Sequence, residues 1–257
     1  MTDGGARIES AVRRAGAAGR PATAAFLTAG YPDRARFAAS LRAVAGAADV
    51  VEVGVPFSDP VADGPTIQRT SREALAGGIS LVAILEELRE MRSLLEAPVV
   101  LMSYANPLLA YGVARFAADA ASAGVAGLIV PDLPVEEQDL LAPELRAAAI
   151  GLVQLVAPTT PRERALRLAA RSEGFVYAVA VTGTTGRSAS DLASLLASIA
   201  AMKEVCATPV LAGFGIRTSR DVAAIVPPAD GVVVGSALLE AIDAGVDPVA
   251  FLAELSR

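Results

Sequence analysis

Eight short runs of β-branched and other apolar residues alternate with amphipathic segments along the 257-residue chain. This alternation predicts an α/β protein, a single (β/α)8 barrel of the TIM type with an extra N-terminal helix. Two further observations bear on the sheet: the first shows that its strands are covered, and the second favours closure over an open doubly wound sheet. The runs are apolar almost throughout, as expected of parallel strands covered on both faces. The first strand-to-helix turn, Thr28-Ala29-Gly30-Tyr31-Pro32, is not the glycine-rich dinucleotide fingerprint that open sheets usually carry there.

The extra helix is expected at roughly Ala6–Ala15. The expected strands are Ala22–Thr28, Val50–Gly54, Val99–Ser103, Gly127–Val130, Leu152–Ala157, Phe175–Val179, Val210–Ala212 and Val232–Val234. Helical periodicity follows each of them, at Asp33–Ala47, Ser80–Arg92, Val113–Ala123, Glu136–Ala148, Pro161–Arg171, Ser190–Lys203, Ser219–Val226 and Ser236–Ala244. Thr160 before Pro161 reads as a helix start, and Gly124 as a helix stop. Little of the chain lies beyond the last of these helices, which is tolerable at a terminus. No low-complexity linker or shift in composition interrupts the pattern, so residues 1–257 are expected to form one domain.

Composition excludes several function classes. The net charge of -6 argues against a nucleic-acid footprint. Mean hydropathy is +0.49, much of it from alanine, but every apolar run is shorter than the roughly 18 residues of a membrane span. The first residues carry charges at Asp3, Arg7, Glu9, Arg13 and Arg14 and no apolar signal core, so a cytoplasmic location is expected. The lone cysteine, Cys206, rules out an internal disulfide and suits a reducing compartment. Histidine is absent, which removes His general bases, His metal ligands and the Ser-His-Asp triad. No metal site is expected. Lys203 is the only lysine, and it falls near the end of a helical segment rather than at a strand end, so a Schiff-base mechanism has no residue to use.

Barrel enzymes place their chemistry at the C-terminal ends of the strands. The second strand, Val50-Val51-Glu52-Val53-Gly54, buries a glutamate among valines. Burial raises a carboxyl pKa toward the range a general acid or base needs, although an internal ion pair with a neighbouring arginine fits the position equally well. Asp63 lies eleven positions on, across the proline-restricted loop Val55–Pro65. A loop folded back would bring both carboxylates to one mouth, where different solvation divides their roles; ordinary turn chemistry at Asp63-Gly64 is the competing reading. Glycines after the last three strands, at Gly183 and Gly186, Gly213 and Gly215, and Gly235 before Ser236, suit a phosphate held by backbone N–H groups and a helix N-terminus. What survives is carboxylate acid–base chemistry on a phosphorylated substrate.

The segment from Val51 to Pro65, VEVGVPFSDPVADGP, resembles the signature of the tryptophan synthase α subunit family. The similarity continues at Phe26–Asp33, Met102–Pro107, Pro131–Pro134, Val181–Arg187, Gly213–Ile216 and Gly235–Ala237, and so spans nearly the whole chain. The resemblance implies retro-aldol cleavage of indole-3-glycerol phosphate to indole and glyceraldehyde 3-phosphate. It assigns Glu52 and Asp63 as catalytic, with Glu52 protonating indole C3 and taking the glycerol hydroxyl proton, and Asp63 accepting from the indole N–H. Gly186, Gly215, Gly235 and Ser236 would bind phosphate, Phe26, Ile67, Met102 and Phe214 would enclose the indole, and Tyr177 would lie beside the glycerol chain. It also implies a tryptophan synthase β subunit as partner in an α2β2 assembly, contacted near Pro56–Pro60 and Asn106–Tyr111. The chain itself needs no cofactor on this reading, and pyridoxal phosphate belongs to the partner. At Ala180–Gly183 the sequence departs from members that carry an arginine there. A free-standing lyase and a non-catalytic allosteric subunit are the alternatives.

Overall fold

The computed structural model describes residues 1–179, 189–204, 206–213 and 215–256. Its strands are β1 Ala22–Thr28, β2 Val50–Gly54, β3 Val99–Met102, β4 Val125–Ile129, β5 Gly151–Val156, β6 Val176–Val179, β7 Val210–Gly213 and β8 Gly231–Val234. They pair in parallel and in sequence order, and β8 closes on β1. The helices are α1 Asp3–Ala17, α2 Arg34–Ala45, α3 Pro65–Ala76, α4 Leu81–Met91, α5 Ala105–Tyr111, α6 Val113–Ser122, α7 Ala142–Ala147, α8 Arg162–Arg171, α9 Ala189–Lys203, α10 Ser219–Ile225, α11 Ser236–Asp243 and α12 Pro248–Leu255. The expected barrel and its extra N-terminal helix are both present.

Alternation of side chains along each strand decides what fills the barrel. Ala22, Ala24, Val50, Val100, Val153, Phe175, Leu211 and Val233 form an interior cluster, on which Met102, Leu155 and Tyr177 also pack. Ile8, Val12 and Ala15 of α1 belong to the same cluster, so this helix plugs one end of the barrel. Gly4 makes the close approach possible, since a Cβ there would lie 2.1 Å from the Ala126 carbonyl oxygen. With that end stoppered, the interior opens past the C-terminal ends of the strands.

Several expectations need correction. Three helices were not foreseen: α3, α5 and α12. The segment expected as one helix over Glu136–Ala148 is a 3-10 turn, Val135–Leu140, followed by the short α7. Pro143 has no N–H to continue a helical ladder through this point, which explains the break. Thr160 does not cap α8; Pro161 occupies that position, and the Thr160 hydroxyl accepts from the Ala157 N–H instead. Gly124 does sit just past α6 with a φ of 84°.

Candidate active site

Register brings the first site residues together. Phe26 on β1 lies opposite Glu52 on β2, and Glu52 opposite Val100 on β3. Glu52 shares the parity of Val50 and therefore points into the barrel, above the layer that α1 plugs. It is 1% exposed, and its Oε2 has no hydrogen-bond partner among the described residues. The alternative of an internal ion pair with arginine is not what the described residues form. Burial, and secondarily the charge of Asp63, push its pKa up to about 8. At neutral pH this carboxyl holds its proton.

Asp63 arrives by a folded loop, as expected. A turn in which the Asp63 N–H bonds the Pro60 carbonyl brings the chain round, and Gly64 then caps the start of α3. The Tyr104 hydroxyl, at the end of β3, accepts from the Ala62 N–H at 2.9 Å and donates to Asp63 Oδ2 at 3.1 Å. Gln68 on α3 bonds the Asp63 carbonyl at 2.9 Å. Burial raises the Asp63 pKa to about 6, and the Tyr104 hydrogen bond opposes that rise. At neutral pH the two carboxyls therefore differ, Glu52 neutral and Asp63 ionised, because one sits inside a strand and the other on a hydroxyl-tethered loop.

Both carboxyls line one cavity of about 630 Å³, together with Phe26, Ile67, Met102, Tyr177, Gly213 and Gly235. Its depth depends on two glycines. A Cβ on Gly54 would come within 2.4 Å of the Phe26 ring, and one on Gly213 within 2.8 Å of the Tyr177 hydroxyl. Burial first, then the nearby Glu52 and Asp63 charges, raise the Tyr177 pKa well above the usual phenol value, so Tyr177 is a neutral wall.

The glycine-rich end is partly described. Gly235 lines the cavity and caps α11, which Ser236 begins. Gly215, with a φ of 57°, lies two residues past the cavity-lining Gly213. Gly215 and Ser236 thus flank the cavity rather than line it. Gly186 and Phe214 lie outside the described residues, as does the loop Val181–Arg187.

Sequence reasoning assigned no role to Tyr104, Gly54 or Gln68. Only the placement of an aromatic residue right after the third strand hinted at the first of these. Among the described residues, no group of three or more His, Cys, Asp or Glu converges on a possible metal position, and no helix is long and apolar enough to cross a membrane.

The sequence model of the family described as tryptophan synthase alpha chain matches residues 12–254. The tryptophan synthase alpha chain of Nitratidesulfovibrio vulgaris is 44% identical over 247 residues, covering 96% of each chain. That of Deinococcus radiodurans is 44% identical over 252 residues, covering 97% of this chain and 93% of the other. Among solved structures, Mycobacterium tuberculosis tryptophan synthase superposes with a TM-score of 0.90 at 36% identity, over 97% of this chain and 96% of that one. The Legionella pneumophila tryptophan synthase alpha subunit gives 0.85 at 35%, over 100% and 96%. A plugged barrel with two differently solvated carboxyls in its mouth, matched from end to end by these relatives, belongs to the tryptophan synthase alpha chain family.

Proposed function

We propose that this chain is a carbon–carbon lyase that cleaves indole-3-glycerol phosphate to indole and glyceraldehyde 3-phosphate at the Glu52–Asp63 site. The observation that carries the reading is Glu52 itself, a fully buried, proton-holding carboxyl with an unpartnered oxygen in a cavity that also holds an ionised carboxylate. The indole packs against Phe26, Ile67 and Met102, with Phe214 completing the slot and Tyr177 beside the glycerol chain. The phosphate takes backbone N–H groups at Gly186, Gly215 and Gly235 and the start of α11 at Ser236, where the helix dipole favours negative charge.

Glu52 gives its proton to indole C3, and positive charge develops on the ring nitrogen. Asp63, accepting from that N–H, stabilises the charge. The Glu52 carboxylate then takes the proton from the hydroxyl on the adjoining carbon. As that C–O becomes C=O, the bond to C3 breaks and its electrons restore the aromatic ring. Glu52 ends protonated as it began, and the net change is one proton moved from oxygen to carbon. No metal, lysine or histidine takes part, and no cofactor of the chain's own is required.

The family implies a β-subunit partner. We infer an α2β2 assembly in which exposed apolar residues at Val61, 83% exposed, and Leu109, 46% exposed, meet the β subunit, which carries the pyridoxal phosphate and receives the indole. The whole chain, residues 1–257, acts as one barrel domain, in the cytoplasm.

The test is indole release from indole-3-glycerol phosphate, with and without the β subunit from the same source. Slow release that rises strongly with β supports the reading. Fast release without β points instead to a free-standing lyase, and no release in either condition rejects the substrate. The pocket walls give a second expected result. Gly54→Ala drives a methyl group into the Phe26 ring, which must shift from its place on the cavity wall. KM for the substrate is expected to rise about ten-fold, while overpacking lowers stability by about 1–3 kcal/mol in a urea titration.

A further inference from the structure

Three chain segments that each carry part of the proposed site meet at one side chain outside it. Glu240, four residues past Ser236 on α11, accepts from the Thr66 hydroxyl at 3.0 Å and from both terminal nitrogens of Arg217, at 2.7 and 3.2 Å. Thr66 is the second residue of α3, three past Asp63 and next to the cavity-lining Ile67. Arg217 is two past Gly215, and its own N–H is bonded to Asp221, whose carboxylate also completes the capping box of α10. The loops after β2, β7 and β8 are thereby tied at a single carboxylate.

A second tie aligns the same two helices. Arg69, one turn beyond Thr66, bonds Asp243, one turn beyond Glu240, and Tyr31 bridges the pair through its hydroxyl. The matched spacing sets α3 and α11 side by side in parallel. Of the two carboxylates, Glu240 is the one that, among the described residues, also bonds Arg217 in the turn after β7. The Arg217–Glu240 pair is 53% and 38% exposed, so it adds little to stability by itself. A planar bidentate contact with a third donor is nevertheless specific in geometry.

We propose that Glu240 is a positioning residue, which fixes the phosphate-binding turns to the segment that carries Asp63. The proposal rests on the substrate reading above. Phosphate seated at Gly215, Gly235 and Ser236 is thereby held in register with the carboxylate that meets the indole N–H, at the other end of the same substrate. Misplacement of about 1 Å at either end costs far more in rate than in stability.

The two arms of the tie can be cut separately. Thr66→Val removes the link to the Asp63 segment, Arg217→Gln weakens the link to the Gly215 turn, and Glu240→Ala removes both. Each variant is assayed for kcat with indole-3-glycerol phosphate and for competitive inhibition by glycerol 3-phosphate, which reports the phosphate end alone. Thr66→Val is expected to lower kcat about three-fold with the inhibition constant unchanged, and Arg217→Gln to raise the inhibition constant with kcat nearly unchanged. Glu240→Ala is expected to do both, Glu240→Gln to restore part of each, and Thr66→Val added to Glu240→Ala to lower kcat no further. Melting temperatures are expected to stay within a few degrees of wild type. Values for Glu240→Ala within two-fold of wild type overturn the positioning role, and so do equal effects of the two single-arm variants on both readouts. A wild-type chain that releases no indole overturns the substrate reading instead.

Discussion

Glu52→Gln is expected to slow indole release by about 10³-fold or more, because it removes a proton that must first be given to carbon and then regained from oxygen. Glutamine keeps the size and neutrality of the protonated side chain, so the variant is expected to fold and to bind the substrate with a dissociation constant close to wild type. Its stability carries an independent signature. The Glu52 pKa is raised from 4.5 to about 8, so between those values the folded chain retains a proton that the unfolded chain has lost. Stability therefore falls as pH rises through this window, by a total on the order of a few kcal/mol, and is regained below it. Glu52→Gln removes that dependence. Thermal melts at pH 5 and pH 9 check it: near-equal melting temperatures at the first, and a higher one for the variant at the second. Normal turnover by a folded Glu52→Gln chain would remove Glu52 from the mechanism.

The same burial that makes Glu52 reactive made it visible in the sequence, since a single carboxylate inside a run of valines breaks an otherwise apolar pattern. The bounds of β1 and β2 were legible to the residue for a related reason: parallel strands covered on both faces are written in β-branched and small apolar side chains. Helix α3 was not legible, because what it buries is Thr70, Ser71 and Ala74 rather than the large apolar residues by which a buried helix face is read. Pro65 also looked like part of the loop, although proline is well suited to the first position of a helix. Helix α5 hides in the same way behind Asn106-Pro107. Helix α12 was missed although Asp247 before Pro248, a cap and a first-turn proline, marks its start. The contacts that orient the site were beyond sequence reasoning for another reason. Tyr104 and Asp63 are 41 residues apart, and Thr66 and Glu240 are 174 apart, and neither separation has a local signature.

Asp63→Asn tests the other half of the carboxylate pair and is expected to cost about 10²–10³-fold in kcat, the range for removing one electrostatic stabiliser of a developing charge. An asparagine can still accept from the indole N–H through its carbonyl, but it brings no negative charge to the ring as C3 is protonated. The pH profile separates this loss from misfolding. Wild-type turnover requires Asp63 ionised and Glu52 protonated, so kcat/KM is expected to rise as pH passes about 6 and fall as it passes about 8. In Asp63→Asn the acidic limb is expected to vanish and the alkaline limb to move toward lower pH, because the Asp63 charge is one of the causes that raise the Glu52 pKa and its removal lowers that pKa. Tyr104→Phe supplies the complementary shift. Its hydroxyl donates to Asp63 and holds the pKa of that carboxyl down, so its loss moves the acidic limb to higher pH. The same substitution leaves the Ala62 N–H without its acceptor, which loosens the turn that presents Asp63. A Tyr104→Phe profile that keeps its acidic limb in place would show that Asp63 does not set that limb.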